Sequence, residues 1–263
     1  MKRNVVFWIG VKSNDLLLNK KHGNFGYLEY SKRTWEYWCK KHNIIFYEYN
    51  TPSIDDTGTH RVTWQRWFDV FDFLDKENIN YNKIAVVDGS SMIRWDAPDI
   101  FNESTNNLTA SVALENLRWT FESANGYKSL FNNFPFDIKK YINCGFQIFD
   151  ISHKPFLNKL KDYYYSNLNE ILYLQKHINK GTDQPVYNYL LQINNIIVDS
   201  LPPSFMIMHM NRFNWFQHNW QLNEDPTPYF IKYGYIWFFS GFDRTQRETL
   251  MMQTWNIIKQ YYE

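Results

Sequence analysis

The stretch that most constrains this chain is the run Lys83-Ile84-Ala85-Val86-Val87-Asp88-Gly89-Ser90-Ser91-Met92-Ile93. Its apolar first half reads as a buried strand, which then stops in a carboxylate, a glycine and two serines. In an open α/β sheet, ligands bind in the crevice beyond the carboxyl ends of the strands, so a polar cluster at such an end is a candidate site. Asp-Gly-Ser is equally ordinary turn chemistry after a buried strand, and the run alone does not choose between the two.

What precedes this run supports an α/β reading. Asn4 to Val11 is a second apolar strand, bounded by the polar Lys12-Ser13-Asn14-Asp15. Tyr27 to His42 places Trp35, Trp38 and Cys39 at helical spacing, and Ile44 to Tyr49 returns to strand. Strand, helix, strand in that order predicts a parallel sheet with a crossover connection. Arg61 to Leu74 is helical, with Trp64, Trp67, Phe68, Phe71 and Leu74 on the face that packs against the sheet. Arg66 falls among those apolar positions. It either reaches the strand ends, where a guanidinium can bind a phosphate or carboxylate bidentately, or lies on the surface with its stem over an aromatic ring.

The second half is predicted to hold a strand over Ile142–Asp150 interrupted by the small pair Cys144-Gly145, a helix over Phe156–Leu174, and short strands at Ile196–Val198 and Phe205–Met208. Tyr235–Phe239 reads as a strand, Ser240-Gly241 as a turn, and Thr245–Tyr262 as a closing helix. Leu108–Leu114 is a further strand candidate in an otherwise irregular middle region. Gly181-Thr182-Asp183-Gln184-Pro185 looks like a helix start, with Thr182 or Asp183 as cap and Pro185 in the first turn. Capping alone is the bland account of Asp183.

Composition excludes several classes. With 263 residues, 44% hydrophobic and only 10 Gly and 9 Pro, the chain has a core to bury and no low-complexity linker. A formal charge of +1 gives no polyanion signature, so nucleic acid is not an expected partner. Two distant cysteines, Cys39 and Cys144, fit neither a disulfide framework nor a paired metal motif, which points to a reducing compartment. No apolar run reaches the ~18 residues of a membrane span, and the apolar run after the basic N-terminus is too short for a secretory signal. A soluble, cytoplasmic protein is the expectation. No Walker-type loop or GxGxxG fingerprint is present, which disfavours ATPase, kinase and dinucleotide readings. Aromatic residues make up 19% of the chain; most must be core, and some can line a groove for sugar rings.

Taken in order, the motifs resemble a GT-A fold nucleotide-sugar glycosyltransferase of the family-8-like kind, over most of the chain. Phe7 to Val11 resembles the strand that leads to the nucleotide. Asp88-Gly89-Ser90 occupies the place of the Asp-x-Asp motif, and Asn143-Cys144-Gly145 looks like the Asn-[Ser/Ala]-Gly strand beside the sugar. Asp183-Gln184 with Asn188 is similar to an Asp-Gln-x-x-x-Asn helix start, and Phe239-Ser240-Gly241 sits at the His-[Tyr/Phe]-x-Gly turn that holds the diphosphate. The resemblance implies one GT-A domain over 1–263, a mixed, mostly parallel sheet flanked by helices. Residues 1–100 would form the nucleotide part and 101–263 the sugar and acceptor part. It implies transfer of a sugar from a nucleotide-diphosphate sugar to a glycan or other hydroxyl acceptor, with retention. Asp183 and Gln184 take the catalytic positions, and Gly10, Val11, Arg66, Asp88, Gly89, Ser90, Asn143, Gly145, Gly241 and Arg244 the donor-binding ones.

Two positions depart from that pattern. Ser90 stands where the second aspartate is expected, and Phe238 where the histidine is expected; both would help hold a divalent cation. Three routes remain: Mn²⁺ or Mg²⁺ held by Asp88 with water and diphosphate oxygens, His209 as a replacement ligand, or Arg66, Lys232 or Arg244 neutralising the diphosphate without metal. The alternative to an enzyme is a GT-A-like sugar- or protein-binding module with a decayed metal site.

Overall fold

A computed structural model describes residues 2–12, 25–54, 61–113, 116–208 and 227–263. Strands β1 (Arg3–Ile9), β2 (Ile45–Tyr49) and β3 (Tyr81–Asp88) alternate with helices α1 (Tyr27–Lys41) and α2 (Val62–Lys76). The short β4 (Ser91–Ile93) follows at once, then β5 (Leu108–Val112), α3 (Leu117–Gly126) and β6 (Ile142–Phe149). Helices α4 (Lys154–Ser166), α5 (Leu168–Ile178) and α6 (Gln184–Ile193) precede β7 (Val198–Ser200), α7 (Tyr229–Tyr233), β8 (Ile236–Phe238) and α8 (Arg244–Ile258).

The main sheet has the order β2-β1-β3-β6-β5-β7. β1 pairs in parallel with β2 and β3, and β5 with β7; β6 alone runs the other way, between β3 and β5. This is the mixed, mostly parallel α/β sheet expected from the sequence. β4 and β8 form a separate antiparallel pair that joins Ser91 to Phe238.

The apolar strands are buried on both faces because alternate side chains enter two different cores. Val5, Phe7, Ile84 and Val86 face α2, where Trp64, Trp67 and Phe71 meet Tyr164 of α4 and Tyr187 of α6. Val6, Trp8, Ala85 and Val87 face Trp35 and Trp38 of α1 and Met251 and Ile258 of α8. Most of the aromatic excess is spent in these two layers. Among the described residues, no helix is long and apolar enough to cross a membrane.

Several expected elements differ. The single helix over 156–174 is two, α4 and α5, separated at Asn167, whose side chain and backbone N–H both turn back to the Tyr163 carbonyl. Val198–Ser200 is the strand near 196–198, shifted towards its β5 partner, and 205–208 contributes only a bridge from Ile207 to Trp237. α3 and β4 were not expected. β4 is three residues long, too short for a periodic signal, and α3 starts beside an exposed, mixed-polarity turn.

Candidate active site

The carboxyl ends of the parallel strands are drawn together by backbone bonds. Gly10 N–H donates to the Tyr49 carbonyl (2.9 Å) and Gly89 N–H to that of Ile9 (3.1 Å). A side chain at position 89 would meet the Ile9 oxygen at 2.4 Å, so only glycine lets β3 turn that close to β1. Asp88, in register with Ile9, is thereby delivered to the sheet edge.

Asp88 does both things the sequence left open. Its Oδ1 accepts the Ser90 N–H (2.9 Å), closing the turn, while its Oδ2 lies 3.6 Å from Nη1 of Arg66. Arg66 is 3% exposed and lies over the Trp67 ring, so the surface reading does not hold. Its Nη2 donates to Asp183 Oδ2 (3.1 Å), and Trp67 Nε1 donates to the same oxygen (2.6 Å). The guanidinium therefore bridges two carboxylates brought from β3 and from the start of α6. Burial alone would lower the Arg66 pKa; the charges of Asp183 and Asp88 more than reverse it, and the group stays ionised.

Asp183 is the N-cap residue of α6 in position only, because its side chain makes no capping bond. The side chain turns instead to α2, where the Arg66 and Trp67 donors both bind Oδ2. Asp183 Oδ1 has no hydrogen bond to another described residue and is left for whatever enters the cavity. Gln184 Oε1 accepts the Cys144 N–H (3.2 Å), and Asn188 bonds both the N–H and the carbonyl of Ile142 (2.7 and 2.9 Å). These two amides clamp α6 onto β6 and fix where Asp183 points.

A cavity of about 610 Å³ lies over this edge, within the ~300–1,000 Å³ usual for small-molecule sites. Arg66, Asp88, Asn143, Gly145, Asp183, Gln184 and Gly241 line it, as do Ser240 and Phe238. Gly10, Val11, Gly89 and Ser90 are not in the cavity wall; Ser90 is buried, with its carbonyl bonded to Phe239 N–H. Arg244 lies over the Phe25 ring at the start of α8, and Lys232 is likewise not in the cavity wall. His209 lies outside the described residues. Buried Cys144 also lines the cavity, and loss of solvent pushes its thiol pKa well up, so it is not a ready nucleophile.

Sequence reasoning missed Trp67, Trp119 and Arg247. Trp67 could be found only by asking which neighbour of Arg66 shares its target. Arg247 staples the 239–242 turn by donating to the carbonyls of Phe239 (2.9 Å) and Phe242 (3.1 Å).

The resemblance implies a divalent cation, and the described donors do not suit a resident one. Among the described residues no group of three or more His, Cys, Asp and Glu converges. Asp88 is the single carboxylate at the strand end, and both its oxygens already have partners. Ser90 is buried, and the Phe238 ring packs on Gly145, where an added Cβ would lie 2.5 Å from it.

No protein-family model matches this chain, and no curated protein matches it in sequence. Solved structures do. A glycosyltransferase involved in the glycosylation of the major capsid of PBCV-1 superposes with a TM-score of 0.56 and 12% identity, over 95% of this chain and 98% of its own. The galactosyltransferase LgtC, in complex with donor and acceptor sugar analogues, gives 0.49 and 14% over 95% of each chain. Mouse xyloside xylosyltransferase 1 gives 0.46 and 10%, over 90% of this chain and 98% of its own. At this identity the likeness to the first of these establishes the fold alone, which is the GT-A fold.

Proposed function

We propose that this chain transfers a sugar from a nucleotide-diphosphate sugar to an acceptor hydroxyl, with retention of the anomeric configuration. One observation carries the reading: Arg66 ties Asp88 and Asp183 into a single charged unit across one cavity at the sheet edge. A strand-end carboxylate by itself would be a turn, and a helix-start carboxylate by itself would be a cap. Joined through a buried guanidinium, they resemble a site built to handle charge.

Departure of a nucleoside diphosphate leaves positive charge on the sugar ring and negative charge on the leaving oxygens. Asp183 Oδ1 is the atom suited to the first task, by accepting from a sugar hydroxyl and stabilising the oxocarbenium-like ring. Its partner oxygen already accepts from two donors, which makes covalent attack through that oxygen a poor route. Gly241 and Ser240 line the diphosphate end on this reading, with Asn143 and Gly145 as the floor under the sugar. Gln184 acts by positioning, since its carbonyl oxygen is bound to β6. A divalent cation, if used, would enter with the diphosphate through Asp88, because hard cations often bind largely through phosphate oxygens.

The test is a thermal-shift screen of UDP-, GDP-, ADP- and CMP-sugars, with and without Mn²⁺, followed by NMR of the product anomer. One donor is expected to raise the melting temperature and to yield the retained anomer. An inverted product overturns the stereochemistry alone; stabilisation by no nucleotide overturns the whole reading. Stabilisation without turnover identifies a binding module.

A further inference from the structure

Helix α3 carries Trp119, Ser123 and Gly126 along one face, at spacings of four and three residues, and Tyr127 follows at its C-cap. That face is pressed onto the segment that ends in Asp183. Ser123 Oγ donates to the Lys180 carbonyl (3.0 Å), Tyr127 Oη to that of Gly181 (3.4 Å), and Ile178 packs so tightly on Gly126 that a Cβ there would lie 2.3 Å from its Cδ1. A Lys180–Glu122 ion pair (3.3 Å) adds to the clamp. The first turn carries Trp119 into the cavity wall.

Trp119 differs from the chain's core tryptophans. Trp8, Trp35, Trp38, Trp64, Trp67 and Trp237 are fully buried, whereas Trp119 is half-buried and its indole N–H bonds no other described residue. Its ring edge lies 3.4 Å from where a Cβ on Gly181 would sit, and Gly181 is two residues from Asp183. Gly181 and Asp183 are at most about 7 Å apart along the chain, and Trp119 and Asp183 line the same cavity. Asn116 beside it, also in the cavity wall, accepts the Trp119 backbone N–H at its Oδ1 (3.0 Å), which fixes the turn. The Asp88 and Gly241 side of the cavity lies on other elements, β3 and the turn after β8.

A flat apolar ring with a free N–H, next to an amide donor, suits a pyranose: C–H groups stack on the ring face and hydroxyls take the polar donors. A serine or threonine hydroxyl on a peptide would need no such platform. Resting on the glycosyl-transfer reading above, we propose that Trp119 is the acceptor-stacking residue and that the acceptor is a saccharide.

The experiment is saturation-transfer NMR on the whole chain. The probes are methyl α- and β-glycosides of glucose, galactose and mannose, and a serine/threonine peptide, each with UDP, GDP, ADP or CMP present. At least one glycoside is expected to receive saturation, to lose most of it in Trp119→Ala and to keep it in Trp119→Phe, while the nucleotide signal is unchanged in both variants. The proposal is overturned if no glycoside is saturated while the nucleotide is, if only the peptide is, or if Trp119→Ala keeps the glycoside signal. If no nucleotide binds, the donor reading fails first and is recognised as such. A Trp119→Ala protein that loses the nucleotide signal as well points to general disruption of α3 and also counts against the stacking role.

Discussion

Replacing Arg66 with methionine tests the charge bridge most directly. Methionine keeps most of the apolar stem and removes the guanidinium, leaving Asp183 4% exposed with only the Trp67 N–H to meet its charge. At the 3.1 Å separation from Asp183, an effective dielectric of ~20 gives a raw attraction of about 5 kcal/mol. The 3.6 Å contact with Asp88 adds much less, because that carboxylate is 36% exposed and solvent screens it. Stranding a buried carboxylate costs about 3–5 kcal/mol. For a chain of this size that corresponds to a fall in melting temperature of roughly 5–9 °C. Urea denaturation of wild type, Arg66→Met, Asp183→Asn and the double variant measures it as a cycle. Arg66→Met and Asp183→Asn together are expected to be more stable than Arg66→Met alone by about 2 kcal/mol, since the amide removes the stranded charge. A loss below about 1 kcal/mol in Arg66→Met, or strict additivity in the cycle, refutes the bridge.

Asp183→Asn in an otherwise intact chain is expected to lower sugar transfer about 100-fold or more, with nucleotide affinity changed little, as read by donor turnover and calorimetry. Gly145→Ala drives a methyl into the Phe238 ring and is expected to cost about 1–3 kcal/mol, recovered largely by Phe238→Leu in a denaturation series. Ser90→Asp puts a carboxylate at a buried position beside Asp88, so it is expected to lower the melting temperature, and Mn²⁺ alone is not expected to restore it. Because burial raises the thiol pKa of both Cys39 and Cys144, both stay protonated at pH about 8, and a disulfide-exchange reagent is expected to titrate neither until the chain is unfolded.

The sheet was legible because β1, β2 and β3 are long apolar runs ended by polar turns, and α1 and α2 carry tryptophans at helical spacing. Asp88 and Asp183 were legible as end-of-element carboxylates. What joins them was not. Arg66 sits in a row of apolar residues, and no rule of spacing says that a guanidinium there reaches two partners, one 22 residues and one 117 residues away. Trp67 was assigned to the core, correctly, while its N–H does polar work that periodicity does not detect. α3 was missed with its tryptophan because its outward face carries Leu117 and Phe121, both exposed, which blurs the amphipathic signal.

The two positions that depart from the glycosyltransferase pattern, Ser90 and Phe238, look independent in sequence and are adjacent in space. Ser91 pairs with Phe238 in the β4–β8 ladder, and Phe239 N–H donates to the Ser90 carbonyl (2.9 Å). A carboxylate or an imidazole at either of these buried places would need a partner or an ion to be tolerated. A buried serine and a phenyl ring need neither, and the ring closes over Gly145, whose missing Cβ makes room for it. The two positions are therefore linked through one short ladder, and neither is a member of the cluster in which Arg66, Asp88 and Asp183 meet. Among the described residues, the charged groups lining this cavity are Arg66, Asp88 and Asp183, and the chemistry proposed for the chain depends on Arg66 staying between its two carboxylates.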